Sequence, residues 1–432
     1  MTGIAQPLSR RGFLRLSAGA AGAALVRPGP AAAQKAQTLS ILHENSFIKT
    51  FDEYFRQTLA PEYQKAAGVR INYELASVGS LQTRVTTVAE TGSGPDITLN
   101  FFNWPYLYDE KYVDLSDIAA EIGGQNGGWY QSAKEATFVN GRWKALPFGN
   151  VGQLMVWRTD WFAEIGVHRF PGTWDELLEA GTKLKARGHP FGFELGHGFG
   201  DNHGWLYPLL WSYGGREVDK EGKAVVLDSA ETARAVDFCR TFFRQTMVED
   251  VLGWTDPSNN KAFLGQQISC TNNASSILWA AKRDFPEIAK VIDQSQNPKG
   301  PTGQRYHLLN SWSHSIFTHT PDRAAAQAFF RWLMQKPQLS RWYEAGDAYY
   351  APFLHGYDDA PMWKAEPRNI PYKESLATSH LPGWPGPASR AMSESVSKYV
   401  VVDMFAKACA GASTRDVIKT ATARIKQIYG AS

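Results

Sequence analysis

The sequence predicts an α/β fold built on a parallel-rich sheet, and three observations carry that expectation. Short apolar runs at residues 38–42, 69–75 and 97–101 alternate with helical patterns at 50–67 and 81–90. Strand and helix in alternation argue for parallel strands joined by crossover helices. Each run also ends in polar residues: Glu44 to Ser46 after the first, Ser77 to Ser80 after the second, Asn103 and Trp104 after the third. In open α/β sheets, ligands bind just outside the carboxyl ends of the strands. The composition, 43% hydrophobic and 20% charged, suits a globular protein with a substantial core. A chain of 432 residues allows about two or three domains. Fifteen tryptophans exceed ordinary core needs, and surplus aromatics often line a binding face.

The first residues read as an address. Arg10 and Arg11 precede a mild apolar run at 16–26, then Arg27 and the small residues 31–33. Charged, apolar and small-residue regions in that order make an export signal. The arginine pair fits the twin-arginine route, with cleavage near Ala33 and a periplasmic destination. No cysteine stands at the cleavage point to take a lipid. The whole chain is +3; residues 1–33 hold four arginines and no acid, which leaves −1 for the rest. A mature chain near neutrality gives no electrostatic case for nucleic acid.

In order, the stretch at 93–109 is the centre of the reading. Gly92, Gly94 and Pro95 punctuate the chain, 97–101 is the strand, and Pro105 can start a helix behind Asn103 and Trp104. Pro61 is expected to kink the helix at 50–67. Strands are expected at 143–146, 153–158 and 191–195. Thr173 and Glu176 form a capping box for a helix, and a glycine-rich loop at 196–204 precedes a helix at 205–213. Asp228 is expected to cap a helix at 229–245. A strand at 267–271 runs into Asn272 and Asn273, then a helix at 275–284. The Pro/Gly-rich link 297–303 looks like a boundary. A strand is expected at 305–309, a loop at 310–313 and a short strand at 315–318. Helices follow at 321–334 and 337–345, a rigid loop at 381–386, and two closing helices at 388–410 and 414–429. Cys239, Cys270 and Cys409 lack metal-type spacing; buried free thiols are expected over one disulfide, which an exported protein would allow.

Three local patterns resemble one family. They are Gly94-Pro95-Asp96-Ile97 with Val113-Asp114-Leu115; Leu146-Pro147 with Val156-Trp157-Arg158-Thr159-Asp160, Gly166 and Thr173-Trp174-Asp175-Glu176; and Phe263-Leu264-Gly265 running to Asn272-Asn273. Their order, behind an export leader, is similar to the extracellular solute-binding proteins, family 1, of ABC importers, the maltose and oligosaccharide type. The resemblance implies a two-lobe periplasmic binding protein fold (type II), each lobe a parallel-rich sheet flanked by helices, with a hinge between. It places residues 38–148 with 305–355 in one lobe and 149–304 with 356–430 in the other. It implies a monomer that binds a carbohydrate or polyol in the cleft and hands it to a membrane permease, without catalysis, cofactor or metal.

A sugar asks for side chains that donate and accept, and for flat rings against its faces. The loop positions the family uses supply Glu44, Asn45, Ser46, Asn103 and Trp104 from the first lobe and Asn150 from the crossing. The second lobe adds Asn202, His203, Asn272, Asn273 and Ser275; Trp312, Ser313 and Trp384 complete the set. Amides stand where maltose-type members often carry acids. Trp174 and Trp332 are expected in the core. Catalytic patterns are weak: His43-Glu44 lacks the second histidine of a zinc helix, and no nucleophile elbow or phosphate loop is present. Gly196, Gly198 and Gly200 recur at too common a spacing to count. Three alternatives stay open: ferric iron on Tyr349 and Tyr350, a polyamine held by indoles and acids, and a glycosidase with paired carboxyls.

Overall fold

The computed structural model describes residues 37–430, so the proposed export signal lies outside the described residues. Two sheets organise the chain. The first has six strands: β1 (Thr38–Glu44), β2 (Arg70–Ala76), β3 (Ile97–Phe101), β4 (Leu146–Asn150), β8 (Ser311–Ile316) and β9 (Ala351–Pro352). The second has three: β5 (Leu154–Arg158), β6 (Cys270–Asn273) and β7 (Ile292–Ser295). The order of the first is β9-β4-β8-β3-β1-β2, and that of the second β6-β5-β7. β1 pairs in parallel with β2 and β3, as the alternation of strands and helices predicts. β8 returns antiparallel between β3 and β4, placing Trp312 opposite Phe101 and Ser311 opposite Asn150. The carboxyl ends of β1, β3 and β4 and the amino end of β8 therefore share one edge.

The second sheet corrects the expectation of parallel pairing in both lobes. β5 lies in its centre and pairs antiparallel with both neighbours. Only three residues separate β4 from β5, too few for the crossover a parallel pairing in one sheet requires; the polypeptide passes to a new sheet instead. Residues 191–195 are not a strand. They are buried; Phe191 forms one isolated parallel bridge with Met247, and beyond it Gly192 bonds to Cys270 and Leu195 to Val251 without a continuous ladder. A Cβ at Gly192 would meet the Trp254 ring at 2.4 Å, so the close approach needs glycine.

Helices flank both sheets: α1 (Val78–Thr91), α2 (Trp174–Ala186), α3 (Asp201–Ser212), α4 (Ala230–Thr246), α5 (Ser258–Leu264), α6 (Ser276–Asp284), α7 (Arg390–Ser397), α8 (Val400–Cys409) and α9 (Thr414–Tyr429). The capping box at Thr173 and Glu176 is present. Ser229, not Asp228, caps α4, because its hydroxyl accepts from Thr232 N–H. α3 starts four residues before the expected point, at Asp201. The expected helix at 388–410 is two, broken where Tyr399 adopts a left-handed φ of 55°. Pro61 makes no break; a π-helical turn, Phe55–Leu59, precedes it in continuous helix. Trp312 and Ser313 lie in β8, not in a loop. Trp174 is buried, and Trp332 packs half-buried against the core. α7, α8 and α9 pack among themselves, and α8 and α9 also pack on α4. All three cysteines are buried and free, with Cys239 Sγ 3.8 Å from Cys409 Sγ.

Candidate functional site

The edges of the two sheets face each other across a narrow, partly open cavity of about 20 Å³. Ligand pockets run from about 300 Å³ upward, so the two edges stand close together here and a solute needs them to part. From the first sheet come Glu44 at the end of β1, Phe101 at the end of β3 and Trp312 at the start of β8. Opposite stand Gln153, just before β5, and Asn273, at the end of β6. Asp201 and Ser276 open α3 and α6, and Asp256 precedes α5. Phe199, on the glycine-rich loop, lies 5.5 Å from Phe101, ring centre to ring centre, so aromatic contact spans the gap. Trp312 packs on Phe101 at 4.7 Å and edge-on to Tyr350 at 5.1 Å.

Polar groups without partners concentrate here. Both carboxylate oxygens of Glu44, Oε1 of Gln153 and Nε1 of Trp312 are buried and unbonded. On the strands β4, β6 and β8 so are both amide atoms of Asn150, Oδ1 of Asn272 and the hydroxyls of Ser311 and Ser313. Buried polar atoms of native proteins are nearly always satisfied, and an unmet one costs about 1–3 kcal/mol. Such a group of orphans clustered about one cavity marks a place for a polar guest.

The carboxyls are the unexpected feature. Beside Glu44, which the sequence nominates, the cavity carries Asp201 and Asp256, and among the described residues no lysine or arginine lines it. Asp201 is clamped: Gln153 Nε2 donates to one oxygen at 2.6 Å and Asn259 Nδ2 to the other at 2.7 Å. Burial still lifts it to about 7. Burial, then the neighbouring Asp256 and Asp52, hold Glu44 well above the usual carboxylate range. Burial and Asp201 do the same to Asp256.

Of the residues the sequence nominates, the structure brings Glu44, Asn273 and Trp312 to the cavity wall. Asn45 is exposed. Ser46 serves its turn, bonding Tyr350 Oη at 3.1 Å and receiving Ile48 N–H. Asn103 ties the end of β3 to the Ser389 carbonyl at 3.0 Å, and Trp104 packs on Phe101 and Phe199. Asn202 is spent within its loop, on Gly196 O and His203 N–H. His203 faces Val396 O at 3.3 Å and is held neutral by burial, its pKa down to about 3. Asn272 donates to Asn297, and Ser275 sits at the N-terminus of α6 without capping it through its hydroxyl. Trp384 stacks on His380 at 4.3 Å beside a separate surface hollow. Tyr349 lines the cavity, while the Tyr350 hydroxyl turns to Ser46, so the two phenols do not share a partner.

Sequence reasoning missed Gln153, Phe199, Asp201 and Asp256. A trace existed in the glycines of the loop at 196–204, of which Gly196, Gly198 and Gly200 were set aside as commonplace. A Cβ at Gly198 would lie 2.0 Å from Glu194 Oε1, and one at Gly204 2.2 Å from Gln153 Oε1. Backbone bare of side chains at these points lets the acids and the amide pack into the cavity floor.

A family model described as bacterial extracellular solute-binding protein matches residues 58–371. The chain belongs to the bacterial extracellular solute-binding proteins. This is a family of binding proteins, not enzymes. Among its relatives is an erythritol/L-threitol-binding protein of Mycolicibacterium smegmatis, 20% identical over 317 residues, a match that takes in 67% of this chain and 66% of that one. The fold is similar to maltose-bound MalE3 of T. maritima, with TM-score 0.79 and 20% identity over 91% of this chain and 100% of that one. It is also similar to an ABC transporter solute-binding protein of Thermotoga lettingae bound with alpha-D-tagatose, with TM-score 0.80, 16% identity and the same coverage.

Proposed function

We propose that this solute-binding protein takes up a small sugar or polyol in the cavity between its sheets and delivers it, chemically unchanged, to an ABC permease. The carrying observation is the set of unpartnered polar atoms, Glu44, Gln153 and Trp312 foremost, around an aromatic-lined cavity. Hydroxyls meet such donors and acceptors in both senses, and the apolar faces of a sugar ring or polyol backbone pack on Phe101, Phe199 and Trp312. The proteins it is similar to bind maltose, tagatose or the tetritols, solutes of this class. Export by the twin-arginine leader would place the protein where such a permease waits. Lobes at 38–148 with 305–355 and at 149–304 with 356–430 would part about the links near 150, 300 and 355 to admit the solute, a hinge motion. Thermal-shift screening over sugars, polyols, polyamines and ferric salts tests the reading. A solute at about 100 times its Kd adds about 2.7 kcal/mol of stability. Stabilisation by a sugar or polyol supports it; stabilisation by a ferric salt alone or a diamine alone overturns it.

A further inference from the structure

The cavity is more acidic than a neutral guest requires. Oxygens of Glu194, Asp201 and Asp256 lie within 4.8 Å of one another. Glu44, wholly buried, lines the same cavity with both carboxylate oxygens unpartnered. Like charges gathered in a dry site oppose ionisation unless a positive charge joins them; among the described residues no lysine or arginine lining the cavity supplies one. Aromatic faces of Phe101, Phe199, Trp312 and Tyr349 stand around the acids, a setting that favours an organic cation. A bare metal ion would use the oxygens and leave those faces without purpose.

The cavity also holds a demand that a simple diamine cannot meet. The indole N–H of Trp312 is buried without an acceptor, and indole only donates. A protonated diamine offers no acceptor; a hydroxyl does. We propose that the solute bears a protonated amino group on a hydroxylated frame, an amino sugar or amino polyol, with its ammonium among Glu44, Asp201 and Asp256 and a hydroxyl accepting from Trp312. This rests on the sugar or polyol reading and narrows it.

Isothermal titration of the exported protein tests both levels. The panel is the aminohexoses and glucamine, each beside its hydroxyl parent, together with putrescine and calcium chloride. At least one amino compound should bind about tenfold or more tightly than its parent, and Glu44→Gln should erase most of that preference. Asp256→Asn provides a second variant, and thermal melting checks that each is folded. Equal or tighter binding of the parent overturns the amine and leaves the sugar or polyol reading standing. Binding of putrescine alone, of calcium alone, or of no panel member overturns both.

Discussion

The two walls of the cavity treat their acids in opposite ways. On the second-sheet side, Asp201 is met at both oxygens by amides from Gln153 and Asn259, and Asn259 is itself held by Asn260 N–H and Asn272 O. On the first-sheet side, Glu44 ends a strand and neither oxygen is met. The fold meets both oxygens of Asp201 and leaves both oxygens of Glu44 for a guest. A partnered buried acid contributes to stability, whereas an unpartnered one is retained at a cost that function explains.

The contrast can be broken most sharply at the clamp. Asn259→Ala strips Asp201, Asn272 and Asn260 of partners together, and urea unfolding should show a loss of about 3 kcal/mol. A loss below about 0.5 kcal/mol would mean that Asp201 is no better held than Glu44. Glu44→Gln should act with the opposite sign, raising the stability of the ligand-free protein at neutral pH by about 1–3 kcal/mol while weakening binding. Destabilisation would show that Glu44 has a partner within the fold.

Glu217, a buried acid whose carboxylate accepts from Ser395 at 2.8 Å, supplies a reference for the sign. Burial lifts it to about 7. Its raised folded value means the folded protein keeps a proton that the unfolded one releases, so its stabilising contribution is full below about 4.5 and falls as pH rises toward 7. Glu217→Gln should flatten that part of the pH profile and stabilise by up to about 3 kcal/mol at pH 8; an unchanged profile refutes the assignment.

Trp312→Ala should cost about 1–3 kcal/mol of solute affinity, read by titration, with the fold intact. Unchanged affinity removes Trp312 from the site. The smallest effect is in shape: scattering should show a slightly smaller radius of gyration with solute bound, and identical curves would argue against hinged lobes.

Local pattern was enough for part of this. Alternating apolar runs foretold the parallel pairing of β1 with β2 and β3, and the Thr173 capping box needs only neighbours three residues apart. Glu44 and Trp312 were visible because polar or flat residues at strand ends have few structural uses. Asp201, Gln153 and Asp256 were not, since in the sequence each is an ordinary polar residue beside a glycine or proline. What made them a site is a meeting of segments about 50 or more residues apart, and no local period encodes such a meeting. The same holds for Asn103 and Asn202, whose amides look like ligand groups until the fold supplies Ser389 and Gly196 to occupy them. Residue order was enough to mark which stretches could be strands, helices and polar ends. Which of those polar ends are satisfied was settled by folding, because that depends on what distant backbone arrives within hydrogen-bond reach.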